Sequence, residues 1–266
     1  MASTGKGNTM TQFKNTPVHF GSHNANETLD WMPTDTKESY EKLIQDPDHR
    51  AYFAKMGWDR PGAITYRINS HGFRADEFDG GPYMVALGCS YTVGIGLPDE
   101  TTWARQTATA LGMKCANLSW GGYSADSCFR LAEYWIPALK PDYVCMLVPP
   151  SHRVELLLDN QDPLLGDRQV MAEVFMPESQ SQLFNPNDRY LKHWFLNDEN
   201  AMINQRKNVL AIRQLCADLN IPCTILDADQ HMWWSREEIG YARDYMHGGP
   251  KIHDILTKKF VDGYKK

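Results

Sequence analysis

From residue 62 onward, apolar and polar positions follow two alternating rhythms. Ala63-Ile-Thr-Tyr-Arg-Ile68 has the period of two expected of a strand, and Asn69-Ser-His-Gly72 closes it as a turn. Four apolar runs follow: Tyr83-Met-Val-Ala-Leu, Lys114-Cys-Ala-Asn-Leu, Tyr143-Val-Cys-Met-Leu-Val and Pro222-Cys-Thr-Ile-Leu. A fifth is expected at 170–175. These runs do not alternate, so they read as strands buried on both faces of a parallel sheet. Helical spacing separates them. Over 101–111, Thr-Thr is placed to cap the start and Gly112 to stop the end. Over 125–139, Leu131, Trp135 and Leu139 recur at i, i+4 and i+8, and over 204–219 Val209, Ile212, Leu215 and Leu219 share a face. Pro250 opens a closing helix at 250–264.

Strands alternating with helices imply a three-layer α/β/α sandwich around a central parallel sheet. In such sheets ligands sit beyond the carboxyl ends of the strands, so the informative residues follow Leu87, Leu118, Val148 and Leu226. Residues 62–266 form the expected main domain. Residues 1–61 differ: they are polar, with aromatic residues at irregular intervals (Phe13, Phe20, Trp31, Tyr40, Tyr52, Phe53, Trp58). They read as an arm that wraps the domain through single aromatic anchors, with one or two short helices over 36–54 broken near Pro47. Between 151 and 200 the periodicity fades and prolines intervene. That excursion leaves the same sheet edge and is a candidate substrate loop.

Composition narrows the function. Of 266 residues, 42% are apolar, enough for a sizeable core, and the formal charge is −6. The acidic balance, with no basic run beyond Lys265-Lys266, argues against a nucleic-acid partner. No apolar stretch is long enough to span a membrane, and the start, Met1-Ala-Ser-Thr-Gly-Lys, lacks an apolar leader core. Cytoplasmic residence is the resulting expectation. The six cysteines (Cys89, Cys115, Cys128, Cys145, Cys216, Cys223) form no C-x-x-C pair and read as small packed thiols.

Three segments carry chemistry. Gly88-Cys-Ser-Tyr-Thr-Val-Gly-Ile-Gly96 follows the first core strand. It lacks the lysine of a phosphate-binding P-loop and the spacing of a dinucleotide fingerprint. Thr92 also breaks the G-x-S-x-G elbow of α/β-hydrolases. What remains is a serine at a strand end, its backbone N–H free near a helix start, where a nucleophile can also stabilise an oxyanion. In Arg243-Asp-Tyr-Met-His-Gly-Gly-Pro250, an aspartate three residues ahead of a histidine can reach the imidazole Nδ1 and leave Nε2 to take a proton. The same segment also reads as a turn with a helix-start aspartate and a surface histidine. A further alternative is a metal held by Asp244, His247 and His253. In Asn117-Leu-Ser-Trp-Gly-Gly-Tyr-Ser124 the glycines permit a backbone N–H to face the cleft.

Together the three segments resemble the SGNH (GDSL) hydrolase superfamily, over about residues 64 to 262. Gly88-Cys-Ser90-Tyr-Thr92-Val-Gly94 is similar to its Gly-Asp-Ser-x-Thr-x-Gly block, and Asn117-Leu-Ser-Trp-Gly-Gly122 to its Asn-x-Gly-x-x-Gly block. Asp244 to His247 matches its Asp-x-x-His, and Ile68-Asn-Ser-His-Gly-Phe-Arg74 resembles an Asn-x-x-Gly-Phe-Arg element that precedes the first block in some members. Two departures stand out. Cys89 replaces the family's aspartate, and Pro149-Pro-Ser-His152 stands where Gly-x-Asn-Asp is usual, which puts Ser151 at the oxyanion asparagine. The resemblance implies a flavodoxin-like fold and an acyl-transfer triad of Ser90, His247 and Asp244. It also implies an oxyanion hole from the N–H groups of Ser90 and Gly122, with Ser151 as a third donor. Cys89 is the alternative nucleophile, but neighbouring residues at a strand end face opposite sides, and the family register selects Ser90.

Tyr91, Tyr123, His152 and Arg153 are candidate substrate contacts, and neither a cofactor nor a metal is expected. The expected activity is hydrolysis of a small acyl ester, with O-deacetylation of a carbohydrate as the leading form. Aromatic residues that suit stacking on sugars motivate it: Phe175, Phe184, Tyr190, Trp194 and Phe195 in the excursion, and Trp233-Trp234. The alternatives are a non-catalytic binding or structural protein on the same scaffold, or an acyltransferase using the same triad.

Overall fold

A computed structural model describes residues 16–60, 62–157, 170–174, 197–227 and 240–265. Its first elements are a 3-10 turn at Phe20–Asn24, strand β1 (Thr28–Leu29), helices α1 (Lys37–Leu43) and α2 (Pro47–Met56), and strand β2 (Tyr66–Arg67). Then come β3 (Tyr83–Leu87), the short α3 (Ser90–Val93), α4 (Trp103–Ala110), β4 (Lys114–Asn117), α5 (Ala125–Leu139) and β5 (Tyr143–Val148). The remainder is β6 (Arg153–Leu157), β7 (Val170–Val174), α6 (Asp198–Asp218), β8 (Cys223–Asp227) and α7 (Pro250–Tyr264).

Four parallel strands form the central sheet in the order β4-β3-β5-β8. Side chains alternate across it. Val85 and Leu87 of β3 join the core built with Leu131, Trp135 and Ile212 of α5 and α6. Met84 and Ala86 join a second core with Trp103, Ala108, Ile252, Leu256 and Phe260 of α4 and α7. Both faces are therefore apolar, which is why these strands read as continuous runs. The result is the expected three-layer α/β/α sandwich. After β3 the chain goes to β4 on one side, then crosses back to β5 on the other. The carboxyl end of β3 thus lies where the strand order reverses, the place open α/β sheets use for ligands.

Several elements depart from the sequence pattern. The 63–68 segment buries Ile64, Tyr66 and Ile68 as its alternation implies, but only Tyr66–Arg67 pairs, antiparallel to Thr28–Leu29. Alternation reports burial, whereas a ladder needs a partner, and here the partner is two residues long. Val170–Val174 does not extend the parallel sheet; it pairs antiparallel with Arg153–Leu157 in a separate two-stranded sheet. Helix α6 begins at Asp198, before the apolar face starts, because the Asn197 side chain accepts the Asn200 N–H and caps it. Pro47 opens α2 behind an Asp46 cap, so the break between α1 and α2 is also a helix start.

Residues 16–60 lie against the sandwich. Met32, Tyr40, Phe53 and Trp58 are buried in the α5-side core. Tyr52 OH donates to Tyr241 O at 2.7 Å and accepts from Tyr241 N at 3.1 Å. Among the described residues no helix is long and apolar enough to cross a membrane. Five of the six cysteines are buried and Cys223 is half-buried, all as free thiols.

Candidate active site

The turn after β3 is closed by a glycine. Gly88 has φ +156, and a Cβ there would meet Thr92 Oγ1 at 2.0 Å and Leu147 O at 2.9 Å. Ser90 therefore begins α3 tight against β5. Cys89 O accepts Thr92 N at 2.8 Å and Val93 N at 3.0 Å, while Ser90 O accepts Gly94 N at 3.0 Å. Two long-range side chains lock this turn. Asn117 Nδ2 donates to Thr92 O at 2.9 Å. The buried Arg74 guanidinium donates to Val93 O (3.0 Å), Gly94 O (2.8 Å) and Leu97 O (2.9 Å). Burial pushes the Arg74 pKa down, partly offset by Asp99. Asn117 and Arg74 stand in the sequence motifs, and the structure supplies their work: they tie the serine turn to β4 and to the segment after β2.

The Asp244–His247 pair is built locally. Asp244 Oδ1 accepts the N–H groups of Met246 and His247, each at 3.1 Å, an Asx-type turn that folds the segment back on itself. His247 Nδ1 lies 2.6 Å from Asp244 Oδ2. Burial would raise the Asp244 pKa, but hydrogen bonds from His247 and Thr34 outweigh it and hold the carboxyl below its ordinary range. An ionised carboxylate only accepts, so Nδ1 carries the proton, and in the neutral imidazole Nε2 then presents a lone pair. The Tyr91 ring packs edge-on against the imidazole, centroids 4.9 Å apart, which sets His247 beside the residue that follows Ser90.

Gly96 joins the two segments. Arg243 N donates to Gly96 O at 2.9 Å and Gly96 N donates to Tyr66 OH at 2.8 Å. At φ +76, a Cβ on Gly96 would lie 2.9 Å from Ala242 Cβ and 3.1 Å from Asp244 N, so only glycine allows this approach. Beneath it, Arg243 holds Asp35 through Nε–Oδ1 (2.9 Å) and Nη2–Oδ2 (2.7 Å), with the side chains 0% and 1% exposed. Tyr66 OH donates to the same Asp35 carboxylate. Thr34 Oγ1 donates to Asp244 Oδ2 at 2.6 Å. Sequence reasoning missed Thr34, Asp35 and Arg243. Nothing in a polar N-terminal stretch marks which of its residues reach a segment some 210 positions away.

The expected site residues divide as follows. Ser90 is 6% exposed, and its Oγ contacts Cys89 Sγ at 4.0 Å. It forms no hydrogen bond to His247 among the described residues. Catalytic hydrogen bonds are commonly long before substrate binds. Gly122 has φ +82 in the turn after β4, and Ser151 is half-buried in the turn after β5. Tyr91 is engaged with His247. Tyr123 faces the core, 1% exposed, against Phe20. His152 and Arg153 follow Ser151 into β6 and are half-buried. His253 is spent on structure: its Nδ1 accepts the Trp103 N–H that opens α4, at 2.9 Å, and burial drives its pKa down to about 3. Among the described residues no cluster of three His, Cys, Asp or Glu is arranged to hold a metal. The aromatic residues at 175–195 and Trp233-Trp234 lie outside the described residues.

No protein-family model and no curated protein matches the sequence. Similar solved structures include the psychrotrophic esterase EstA from Pseudoalteromonas, at 11% identity and TM-score 0.40, covering 70% of this chain and 97% of that one. An acetyl xylan esterase from the rumen bacterium Butyrivibrio proteoclasticus is 14% identical with TM-score 0.40, covering 68% of this chain and 63% of its own. An acetyl-xylooligosaccharide esterase from Geobacillus is 14% identical with TM-score 0.34, covering 70% and 95%. Likeness at this level decides nothing about chemistry, which has to come from the side chains of this chain.

Proposed function

We propose that the protein is a serine esterase in which His247 draws the proton from Ser90 Oγ as that oxygen attacks an ester carbonyl. The supporting observation is the Asp244–His247 hydrogen bond of 2.6 Å, set beside the serine turn by Tyr91. With Nδ1–H donated to Asp244, Nε2 is the base; Asp244 then stabilises the imidazolium. Donors for the developing oxyanion are the Ser90 N–H at the start of α3 and the Gly122 N–H, with the Ser151 hydroxyl as the third. Losing one such donor costs roughly 3 kcal/mol, about a hundredfold in rate. His247 returns its proton to the leaving alkoxide, and water, activated by the same imidazole, releases the acyl group.

Ser90 is nearly buried, which suits a short acyl group. Acetate release from an O-acetylated carbohydrate is the specific form proposed. A serine-directed phosphonate probe tests the nucleophile: the wild type labels at Ser90, identified by peptide mass spectrometry, whereas Ser90→Ala and His247→Ala do not. A folded wild type that never labels points instead to a binding role on this scaffold. Acetate release from a panel of acetylated glycans, with and without an added alcohol acceptor, then separates hydrolysis from acyl transfer.

A further inference from the structure

Thr34 is set apart by its backbone. Its φ of +74 lies in the left-handed region, where a β-branched residue is an outlier and is held only by strong surroundings. Those surroundings are present. Asp35, the next residue, is buried in its two-point pairing with Arg243. Thr36 caps α1, accepting Ser39 N at 3.1 Å. Directly ahead of these anchors, the Thr34 hydroxyl points at Asp244 Oδ2 and donates to it at 2.6 Å. That oxygen is the one His247 Nδ1 also meets at 2.6 Å.

We propose that Thr34 is a positioning residue of the catalytic centre: its hydroxyl fixes the plane of the Asp244 carboxylate, so that the N-terminal arm completes the Asp244–His247 pair. This rests on the ester-hydrolase reading of that site. Asp244 Oδ1 is held by two backbone N–H groups from its own segment. Among the described residues, Oδ2 meets the imidazole and Thr34, and the imidazole is the group that must be aimed. Without the hydroxyl, aimer and aimed would share one flexible hydrogen bond. The hydroxyl also helps hold Asp244 ionised, against the burial that opposes it. The other groups near the pair are Tyr91 against the imidazole ring, the chain neighbour Arg243, which is turned to Asp35, and the buried His253, whose charge that of His247 opposes.

The test uses Thr34→Val, which keeps the β-branched shape and removes the hydroxyl, and Thr34→Ser, which keeps the hydroxyl. Thr34→Gly removes the hydroxyl and relieves the backbone strain, so it remains folded even where valine does not. On a chromogenic acetate ester, the valine and glycine variants are expected to lose about tenfold in kcat with little change in KM. Their acid limb should move to higher pH, because without the Thr34 donor the negative charge on Asp244 Oδ2 is less shared and holds the imidazolium more tightly; serine restores both. In proton NMR, the His247 imidazole N–H signal should be sharp in wild type and Thr34→Ser and broadened in the other two. A wild-type pH profile and an unaltered N–H signal in Thr34→Gly would overturn the proposal. Should the wild type cleave no ester, the hydrolase reading fails, and the NMR comparison still decides whether Thr34 holds the pair.

Discussion

Cys89 and Ser90 are adjacent, buried and both nucleophilic by type, yet the fold treats them differently. Cys89 packs in the α5-side core with Val93 and Cys128, while Ser90 opens the helix beside which His247 stands. Cys89→Ala should therefore keep most of the proposed esterase activity, and Ser90→Ala should remove nearly all of it, a contrast read by initial rates on one chromogenic ester. Gly96 makes a second residue-scale prediction. Gly96→Ala sets a Cβ 2.9 Å from Ala242 Cβ at a positive φ and pushes the serine loop away from Asp244. We expect a loss of about 1–3 kcal/mol in stability, together with a fall in kcat that exceeds the change in KM. Urea denaturation and steady-state kinetics measure the two parts separately. The spacing of Asp244 and His247 was legible because their contact is local: an Asx turn brings together residues three apart. Gly88 and Gly96 were visible as glycines, but which neighbours their missing Cβ atoms make room for was not.

At the scale of elements, the stretch from β1 to α1 does more than cover a surface. It supplies Asp35 to Arg243, and Arg243 also lies over the Trp31 ring at 4.4 Å. Removing one partner of a buried ion pair leaves the other uncompensated, at a cost of roughly 3–5 kcal/mol. Asp35→Ala should lower stability by that amount in chemical denaturation, and adding Arg243→Met should recover part of it. Full independence of the two substitutions would show that the pair does not couple arm and domain. The aromatic anchors of this stretch were readable as apolar residues in a polar context, whereas Asp35 looked like any surface acid. Its burial follows from Arg243 and Tyr66, which lie far away in sequence. The same limit applies to 170–174: an apolar run announces a strand but does not choose between joining the central sheet and pairing with β6.

For the molecule as a whole, two buried histidines shape the response to acid. Burial lowers the His19 pKa to about 4, while His71 O accepts its Nε2–H and its Nδ1 accepts Gly21 N. His253 is lowered to about 3. Below the unfolded-state value of about 6.5 the unfolded chain takes up protons that the native state refuses. Stability should thus be level above pH 6.5 and fall as pH drops toward 4, by up to about 1.4 kcal/mol per pH unit for each histidine. His253→Gln, which keeps an acceptor for Trp103 N–H, should make that slope shallower in urea titrations between pH 7.5 and 4.5, the rest coming from His19 and from His71, which burial also lowers; an unchanged slope would remove His253 from the account. The layered α/β/α architecture was legible in the sequence because doubly buried strands and one-faced helices carry opposite hydrophobic periods, and short βα loops leave few ways to connect them. It also placed Ser90, the Gly122 turn and Ser151 beyond the carboxyl ends of β3, β4 and β5, since that follows from chain order alone. Only the tertiary structure decided that Thr34 and Asp35 reach the Asp244 segment, that Arg74 and Asn117 clamp the serine turn, and that His253 caps a helix. Those are contacts between distant stretches made by single polar side chains, and such contacts leave no period in a sequence; they exist only once the packing has brought their partners together.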